Sequence, residues 1–468
     1  MTRPSGRIVP LIVAVAFFME NFDGTAIATA LPTMAASFGV RAVDLSIGIT
    51  AYLVTLAVFI PISGWCADRF GARVVFSAAI AVFSIASILC GLATGAVEFV
   101  LARILQGIGG AMMVPVGRMV VIRSTPKKDL IPAIGMIVWP GLIATVIGPP
   151  VGGLLTTYAS WRWIFLVNIP IGLIGILLVQ RFVENFRAEE KQPPDFGGFL
   201  FSAAALSCFM YGIDLLGREN SRGFLGWIFL VLTVLLGALT FWFEQQVEKP
   251  LMRFSLLKIP TFATTLIAGN ASCTAVGAAP LLLPLMFQKG FGMSPAQSGM
   301  LVLLYAGGNL GMKTMTTWIL RRFGFRRVLV VNTLLIAFFA AASGFLRVGT
   351  PAVIWIIVLV GAGLVRSMQF TSLNTLAFSE VPSAEISAAS MMHSAAQQLT
   401  FGLGIAFGAI SLRIGILLGG GQTLADYRIA FSIVAALALL TFPAFLRLAH
   451  DAGAEVSGRA KGERKLAD

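Results

Sequence analysis

The sequence predicts an all-α polytopic membrane protein, and three observations support that prediction. About fourteen apolar stretches of roughly twenty residues follow one another, each long enough to cross a hydrocarbon layer about 30 Å thick. The composition is 57% hydrophobic and only 12% charged, with a mean hydropathy of +0.89, which a soluble domain of this size would not show. The stretches lack the period-two alternation of barrel strands, so we expect helices, which satisfy their own backbone hydrogen bonds in lipid.

Each apolar stretch predicts one membrane-spanning helix, and short loops between them hold most of the charged residues. The predicted spans are 8–30, 45–67, 74–95, 98–121, 132–157, 162–183, 197–216, 224–244, 261–287, 296–319, 328–347, 352–378, 388–412 and 428–448. The first span follows a short basic segment, as a signal peptide would. It contains Glu20 and Asp23 and is longer than a signal-peptide core, so we expect it to be a retained helix.

Basic residues predict the orientation of these spans, because Lys and Arg are retained on the cytoplasmic side of a membrane. If both termini are cytoplasmic, the inner loops hold most of the basic residues, including Arg69, Arg73, Arg321 and Arg322. We therefore expect an even number of spans and two cytoplasmic termini. The same distribution accounts for the formal net charge of +13, so the expected partner is a lipid bilayer and not a nucleic acid.

An internal repeat predicts how the helices are grouped. The run RFGARV at residues 69–74 follows span 2, and the run RFGFRR at residues 322–327 follows span 10. An offset of eight helices arises if two six-helix bundles are separated by two inserted helices, and related halves of this kind are typical of rocking transporters. The predicted domains are a first bundle at 1–190, two inserted helices at 191–258, a second bundle at 259–450 and a disordered cytoplasmic tail at 451–468.

The sequence contains no pattern that predicts an enzyme. The four cysteines lie in or beside different predicted helices, without the spacing of metal ligands. The chain has no phosphate-binding loop and no nucleophile elbow, and it leaves no room for a soluble domain that would hold one. We expect neither enzymatic activity nor a bound metal ion or organic cofactor, so any work the protein does must draw on an ion gradient.

Several motifs resemble those of one transporter family. The run GWCADRFGAR at residues 64–73 is similar to the cytoplasmic loop signature of the major facilitator superfamily, and RILQGIGG at residues 103–110 is similar to its second signature. The run GPPVGG at residues 148–153 resembles the signature of its antiporters. The fourteen predicted spans, DGT at 23–25 with ALP at 30–32, and WRWIFLVNIP at 161–170 narrow the resemblance to the fourteen-helix drug:proton antiporters of the EmrB/QacA type. This resemblance covers nearly the whole chain and implies a major facilitator fold.

Charged residues inside the predicted membrane region are candidates for proton coupling. Asp23 lies on the order of 10 Å from the outer end of span 1, and Arg103 lies at a similar depth in span 4, counted at about 1.5 Å per residue. Burial favours the protonated form of a carboxyl, and a nearby guanidinium favours the charged form. A change in the distance between Asp23 and Arg103 can therefore load or release a proton. Glu20, one turn before Asp23, departs from the family pattern and is expected to assist the proton transfer or to meet the substrate. The alternative is a static ion pair that holds spans 1 and 4 together.

The loop between spans 2 and 3 is the first candidate gating element. Gly64 and Gly71 permit a tight turn and a close helix approach. Asp68 can pair with Arg69 or Arg73, or accept hydrogen bonds from the amides of a neighbouring helix N-terminus. We expect a latch that favours one of two packings, and the alternative is that the arginines only fix the topology. In the second copy Arg321 stands where Asp68 would be, so the latch should exist in one half only.

Span 5 is the second candidate gating element. Its run of Gly148, Pro149 and Pro150 with Gly152 and Gly153 removes side chains and amide donors from one part of the helix. A kink and a flat surface that another helix can approach are the expected results. The resemblance implies a seal that discourages leak, and a purely structural kink is the alternative.

Polar residues of the second half are candidates for substrate binding. Lys313 in span 10 and Arg366 in span 12 carry positive charge into the predicted membrane region, although Lys313 can reach the interface by snorkelling. Other candidates with polar side chains in these predicted helices are Asn309, Gln369, Asn374 and Gln397. With Glu20 they complete the predicted substrate site, and a carboxylate-bearing substrate is as reasonable as a lipophilic cation.

The sequence therefore predicts a proton-coupled exporter, an antiporter that moves small amphipathic compounds or drugs by alternating access. The expected location is the cytoplasmic (inner) membrane of a bacterium, as a multi-pass monomer whose partners are its substrate, protons and lipid. Within transport, the alternatives are an exporter of organic anions or metal-carboxylate chelates, and a proton symporter for uptake. A non-transporting or lipid-handling membrane protein on the same scaffold is the alternative from another class.

Overall fold

The computed structural model describes residues 8–125, 130–185, 187, 196–217, 223–244, 254–382, 385–421 and 424–453, and these residues are almost entirely helical. The first helices are α1 (Ile8–Ser37), α2 (Ala42–Leu45), α3 (Ile47–Phe70), α4 (Ala72–Leu92), α5 (Ala96–Ser124), α6 (Leu130–Tyr158), α7 (Trp163–Leu166), α8 (Asn168–Phe182), α9 (Phe196–Gly217) and α10 (Gly223–Glu244). The later helices are α11 (Pro260–Thr264), α12 (Asn270–Gly277), α13 (Ala279–Leu285), α14 (Pro295–Phe323), α15 (Phe325–Gly344), α16 (Ala352–Ala377), α17 (Ile386–Gly419), α18 (Leu424–Leu440) and α19 (Phe442–Leu446). The prediction of an all-α protein is confirmed.

Twelve helical stretches within the described ranges are long and apolar enough to cross a membrane. They coincide with twelve of the fourteen predicted spans. The other two predicted spans, 197–216 and 296–319, coincide with helices α9 and α14. The apolar part of α9 is short, at Gly197–Ile213, and α14 carries polar and basic residues along its length.

Large apolar side chains on the outer faces of these helices agree with a lipid environment. In α10, Trp227 is 61% exposed and Val234 is 71% exposed, and only 11% of the apolar window of this helix is buried. In water such faces would mark an interaction surface or an aggregation hazard. Lipid tails cover them without penalty, because the bilayer is as apolar as the side chains.

The described residues form two compact units. The first unit is Met1–Lys249 with Ser294–Met300, and the second is Pro250–Met293 with Leu301–Asp468. Helices α9 and α10, the predicted inserted pair, group with the first unit. There α9 contacts α3 through an edge-to-face pair of Phe59 and Phe199, whose ring centroids lie 5.5 Å apart. The predicted tail at 451–468 lies outside the described residues from position 454 onward.

Each unit has its own apolar core. In the first unit, side chains of α1, α3, α4 and α5 meet around Val13, Phe76 and Val116, all fully buried. In the second unit, Leu329 and Leu376 lie in one cluster and Phe262 in another. Helix α11 leads through a π-helical turn at Thr265–Gly269 into α12, and a second π turn at Met286–Gly290 follows α13.

The two copies of the sequence repeat have the same local structure. Gly71 joins α3 to α4 with a φ of 100°, and Gly324 joins α14 to α15 with a φ of 77°. The amide of Gly71 donates to the carbonyl of Ala67 at 2.9 Å, and the amide of Gly324 donates to the carbonyl of Leu320 at 2.9 Å. Positive φ favours glycine at both positions, so the shared RFG run has a backbone cause.

Candidate functional site

A buried ion pair connects α1 to α5 in the first unit. The guanidinium of Arg103 donates from Nη1 to Oδ2 of Asp23, and both side chains have no exposed surface. Gly107 also lets α5 approach α3 closely, since a Cβ added to it would lie 2.9 Å from the carbonyl oxygen of Tyr52 in α3. The side chains lie 80 residues apart in the chain, and the structure brings them together.

Gln106 completes the polar set around Asp23. Its Nε2 donates to Oδ1 of Asp23 at 3.0 Å, and its Oε1 accepts from Nη1 of Arg103 at 2.6 Å. Both oxygens of the Asp23 carboxylate therefore have a donor. A buried carboxylate satisfied in this way is held in one place, because loss of either donor would leave a charge without compensation.

The hydrogen bonds around Asp23 continue into α4 and α8. Gln106 Nε2 also donates to the hydroxyl oxygen of Ser87 at 2.9 Å, and the amide nitrogen of Asn168 lies 3.4 Å from the same oxygen. All three side chains are fully buried. The ion pair thus belongs to a network that spans four helices of the first unit.

Tyr52 of α3 also packs against this cluster. The Cζ of Arg103 lies 4.1 Å from the centroid of the Tyr52 ring, a cation–π contact, and Tyr52 is 2% exposed. Among the described residues the Tyr52 hydroxyl has no hydrogen-bond partner, and neither has Nη2 of Arg103.

Glu20 lies one turn before Asp23 on α1 and has a different cation near it. Arg118 of α5 is the positive charge that acts most strongly on the Glu20 carboxyl. The Cζ of Arg118 lies 5.6 Å from the ring centroid of Phe17, one turn further along α1. The Oε2 atom of Glu20 is buried and has no hydrogen-bond partner within the described ranges.

Asp68 lies in the last turn of α3, and its partner differs from those predicted. Asp68 pairs with Arg123 of α5, with Oδ1 and Nη2 3.1 Å apart, and both side chains are partly exposed. Arg69 is exposed, with its Cζ 5.8 Å from the Trp65 ring centroid. Arg73 is half-buried, in the first turn of α4. The latch residue therefore connects α3 to α5.

Gly64, inside α3, and Gly71, between α3 and α4, have unequal surroundings. A Cβ on Gly71 would collide with the side chain of Asn185, and its positive φ is a second reason for glycine. Gly64 has no described atom within 4 Å of such a Cβ, and Asn185, the neighbour of Gly71, follows the end of α8, so the close helix approach predicted for these glycines is found at neither.

Helix α6 packs its Gly-Pro run directly on α1. A Cβ on Gly148 would collide with Oγ1 of Thr25, and one on Gly152 would lie 2.5 Å from the carbonyl oxygen of Ala26. A Cβ on Gly153 would collide with the carbonyl oxygen of Pro295, in the segment Ser294–Met300 that groups with the first unit.

Pro149 of the run also contacts α1. The helix continues through Pro149 and Pro150, and the carbonyl oxygen of Pro149 accepts from the Thr29 hydroxyl at 3.2 Å. The predicted flat surface exists, and α1, the helix that carries Asp23, lies on it.

The second unit contains a buried amide cluster. Gln369 of α16 is fully buried, donates from Nε2 to the Ser272 hydroxyl at 2.9 Å and accepts from Asn332 at 2.8 Å. Gln369 follows Arg366 by three residues, as Gln106 follows Arg103. The amide of Gln369 donates to a serine, whereas the amide of Gln106 donates to the Asp23 carboxylate.

Arg366 and Lys313 place positive charge in the second unit. Arg366 is half-buried, and its Nη1 lies 3.3 Å from the hydroxyl oxygen of Tyr305. Its Cζ lies 5.6 Å from the Tyr305 ring centroid and 5.8 Å from that of Phe370. Lys313 is exposed, and the positive charge of Arg366 acts on its ammonium group. Neither has an ion pair with an acid among the described residues.

The other predicted polar residues form a separate group. The Asn374 side-chain oxygen lies 2.6 Å from Nε2 of His393 and accepts from Gln397 at 3.0 Å. Asn309 lies apart from this group, at a close approach of α16 to α14. A Cβ on Gly363 would be 2.8 Å from the backbone nitrogen of Asn309.

Sequence reasoning missed Gln106, Tyr52 and Arg118. Gln106 lies inside the RILQGIGG run, one turn after Arg103, so its helical spacing was a usable signal. Nothing in the sequence connects Tyr52 to Arg103, since that contact depends on the packing of α3 on α5. Within the described part of the chain, no group of three or more His, Cys, Asp or Glu could hold a metal ion.

Comparisons with known proteins agree with this organisation. The sequence model of the Major Facilitator Superfamily matches residues 13–405. A relative from Pectobacterium carotovorum subsp. carotovorum, named “Putative multidrug resistance protein MdtD”, is 37% identical over 417 residues, covering 88% of each chain. The protein of that name from Salmonella heidelberg is 35% identical over 406 residues, covering 86% of this chain and 85% of its own length.

Solved structures agree on the fold. The nucleoside transporter NupG superposes with a TM-score of 0.66 at 14% identity, covering 94% of this chain and 98% of NupG. A D-xylose-proton symporter superposes with a TM-score of 0.64 at 15% identity, covering 93% and 97%. At such low identity the likeness shows the fold alone.

The matching family model and the relatives identify this multi-pass helical protein as a membrane transporter of small molecules and not an enzyme. The chain belongs to the Major Facilitator Superfamily. The family predicted from the motifs is confirmed. The run GAMMVPVGR at residues 110–118 also resembles the corresponding run of MdtD, and the relatives confirm that likeness.

Proposed function

We propose that the protein is a proton-coupled antiporter that exports small amphipathic compounds or drugs by alternating access. The observation that carries this proposal is the fully buried pair of Asp23 and Arg103. Burying two charges costs several kcal/mol that apolar side chains at the same positions would not cost. A buried acid in a membrane helix is therefore a functional candidate, and a proton is the ligand it can exchange.

The pair couples protonation to helix position. A proton on Asp23 removes the charge that compensates Arg103, so the protonated state favours an arrangement in which Arg103 has other partners. Gln106 bonds to both residues, so the same change alters the contact of α1 with α5 and α4. Because α1 lies on the Gly-Pro surface of α6, movement of α1 is also transmitted to the predicted gating helix.

A proton gradient supplies enough energy for accumulation. One charge crossing 100 mV yields about 2.3 kcal/mol, and one pH unit adds about 1.4 kcal/mol. We assign the coupling to protons alone, with no cofactor. The proposed topology has fourteen spans with both termini in the cytoplasm of a bacterium, in its inner membrane, as a monomer.

Reconstituted proteoliposomes test this function. With a pH-sensitive dye trapped inside, the wild type should move protons when a transported compound is added from a panel of cations, neutral drugs and carboxylates. Asp23→Asn should lose that proton movement and keep substrate counterflow, since exchange of bound substrate needs no net proton transfer.

The control for Asp23→Asn is Asp44→Asn. Asp44 pairs with Arg41 on a partly exposed surface, so its loss should leave proton movement unchanged. Full proton-coupled transport by Asp23→Asn would contradict the proposal.

Export of organic anions or metal-carboxylate chelates is the second candidate function. It is favoured by Lys313 and Arg366, which have no described acid as a counterion, and by the rings of Tyr305 and Phe370 beside Arg366. A planar guanidinium binds a carboxylate through two hydrogen bonds, and the rings offer an apolar surface to the rest of the ligand.

Substrate preference distinguishes the two candidates. If an anion is carried, Arg366→Gln should weaken competition by carboxylates about tenfold or more, the loss expected for one charge-assisted pair. Competition by lipophilic cations should not weaken. The opposite ranking, with cations affected and carboxylates not, would remove the anion candidate.

A further inference from the structure

The arginine and glutamine of the Asp23 cluster have counterparts in the second unit. Arg103 and Gln106 lie one turn apart on α5, and Arg366 and Gln369 lie one turn apart on α16. Each of these helices is the next but one after a helix that ends in an RFG run, α3 in the first unit and α14 in the second. The two pairs therefore lie at corresponding places in the internal repeat.

A tyrosine packs on the arginine in both units. Tyr52 and Tyr305 precede their RFG runs by the same number of residues, so the repeat aligns them. The ring centroid lies 4.1 Å from the Cζ of Arg103 in the first unit and 5.6 Å from that of Arg366 in the second. The second unit thus repeats the tyrosine, the arginine and the glutamine that surround Asp23.

The group that accepts from the glutamine amide differs between the units. In the first unit, Nε2 of Gln106 donates to the Asp23 carboxylate at 3.0 Å. In the second, Nε2 of Gln369 donates to the Ser272 hydroxyl at 2.9 Å. Each acceptor lies in the apolar helical stretch that precedes the helix of the tyrosine. A neutral hydroxyl therefore stands in the second unit where an acid stands in the first.

This difference leaves Arg366 without a counterion among the described residues. Its Nη1 donates to the Tyr305 hydroxyl at 3.3 Å, and the side chain is half-buried, whereas Arg103 has no exposed surface. The charge of Arg366 also acts on the thiol of Cys273, next to Ser272. A partly desolvated cation without a protein counterion favours the binding of an anion, because the anion supplies Coulomb energy that water no longer supplies.

The rings beside Arg366 indicate what kind of anion fits. The Phe370 ring centroid lies 5.8 Å from the Cζ of Arg366, and this ring stacks on Phe401 with the centroids 5.2 Å apart. A guanidinium binds a carboxylate through two parallel hydrogen bonds, and the rings offer an apolar surface to the body of the same molecule. An inorganic anion would gain nothing from the rings.

We infer that the carboxylate of a transported compound serves Arg366 as Asp23 serves Arg103, and that Ser272 is the residue that selects for a negative charge. The inference rests on the second candidate function, export of organic anions, and assigns its specificity. Protonation of Asp23 changes the charge beside Arg103 in the first unit. Binding and release of the carboxylate change the charge beside Arg366 in the second.

Ser272→Asp tests this assignment, because it supplies a carboxylate from within the protein at the place that corresponds to Asp23. Isothermal titration calorimetry of the purified protein in detergent micelles measures binding of cinnamate and of its neutral amide, cinnamamide. The wild type should bind cinnamate about tenfold or more tightly than cinnamamide, the factor expected for one charge-assisted pair. Ser272→Asp should abolish that preference.

The matched control is Ser272→Asn, which has nearly the same shape as Ser272→Asp and adds no charge. It should keep the preference for cinnamate. A preference as large as that of the wild type in Ser272→Asp would overturn the inference, and so would equal loss in both variants.

Gln369→Glu provides a second route if Ser272→Asp does not fold. It keeps the volume of the side chain, and both of its neighbours can donate to the new carboxylate, Asn332 through its amide and Ser272 through its hydroxyl. The new charge lies one turn from Arg366 on the same helix, so the preference for cinnamate should again disappear. An unchanged preference would contradict the inference.

The proposed proton coupling stands or falls separately, since binding in micelles needs no gradient. If the wild type shows no preference for cinnamate, the inference fails, while proton movement that is lost in Asp23→Asn still supports the antiporter. If Asp23→Asn moves protons normally, the proposed coupling fails, and a preference for cinnamate that Ser272→Asp abolishes still supports the assignment of Ser272.

Discussion

At the residue scale, Asp23 combines full burial with a hydrogen-bond donor for each of its carboxylate oxygens. Arg103 and Gln106 occupy its two oxygens, and Gln106 is held in turn by Ser87. In a low-dielectric surrounding, each of these bonds is stronger than in water and each unpaired group is more costly. Gln106 therefore carries more of the energy of the cluster than its neutral side chain suggests.

Replacing Gln106 by leucine tests that interpretation. Gln106→Leu removes the donor to Asp23 Oδ1 and the acceptor for Arg103, and should lower the free energy of unfolding by about 1–3 kcal/mol. Titration with a denaturing detergent in mixed micelles measures the change. Gln180→Leu is the control, because among the described residues the Gln180 amide has only a 3.4 Å contact with Ser77, and its loss should change little.

A double variant distinguishes coupling between Gln106 and Asp23 from independent destabilisation by each change. Combining Gln106→Leu with Asp23→Asn should cost less than the sum of the two single changes, since the two residues share partners. Strict additivity would show that Gln106 does not act through Asp23.

At the scale of elements, glycines decide which helices approach closely. On α6, Gly148 faces the Thr25 hydroxyl of α1 and Gly152 faces the Ala26 carbonyl oxygen, so an added side chain would collide at either position. On α5, Gly107 faces α3 and Gly109 faces α4 in the same way. Packing of this kind replaces the hydrophobic effect, which does not drive helices together inside a lipid bilayer.

Gly152→Ala should separate α6 from α1. The added methyl would lie 2.5 Å from the Ala26 carbonyl oxygen, so the helices must shift, at a cost of about 1–3 kcal/mol. We expect reduced transport in proteoliposomes and a lower free energy of unfolding. Gly237→Ala on α10 has no described atom within 4 Å and serves as the control. Unchanged transport and stability in Gly152→Ala would show that the close approach is not required.

The link between α3 and α5 should act on rate more than on stability. Asp68 and Arg123 are partly exposed, so Asp68→Asn should change the free energy of unfolding by less than about 1 kcal/mol. If the link is a latch, the initial rate of substrate counterflow should fall all the same. The exchanged pair, Asp68→Arg with Arg123→Asp, should recover part of that rate. A rate equal to that of the wild type in Asp68→Asn would reduce the link to a surface contact.

At the scale of the whole molecule, the proposed topology makes a prediction about labelling. With the four native cysteines replaced by serine, Ser221→Cys lies in the loop between predicted spans 7 and 8, and Ser457→Cys lies in the tail. A membrane-impermeant maleimide should label the first in intact cells and leave the second unlabelled until the cells are opened. Labelling of both, or of neither, in intact cells would contradict fourteen spans with cytoplasmic termini.

The sequence by itself determined the class of protein, the positions of its helices and its family. These properties depend on local hydropathy, on the spacing of glycine and on the identity of a few motif residues, all of which are written along the chain. It also identified Asp23 and Arg103 as charges at similar depth, because depth along a helix follows from residue number.

Only the tertiary structure decided which side chains meet. The sequence offered Asp68 its neighbours Arg69 or Arg73, or the amides of a helix N-terminus, whereas the folded chain pairs it with Arg123, 55 residues away. The contact of Tyr52 with Arg103 and the position of Arg118 beyond Glu20 were equally invisible. The physical reason is that a membrane helix can rotate about its own axis and present any face to its neighbours. Close backbone contacts at residues such as Gly107 and Gly152 determine which face that is.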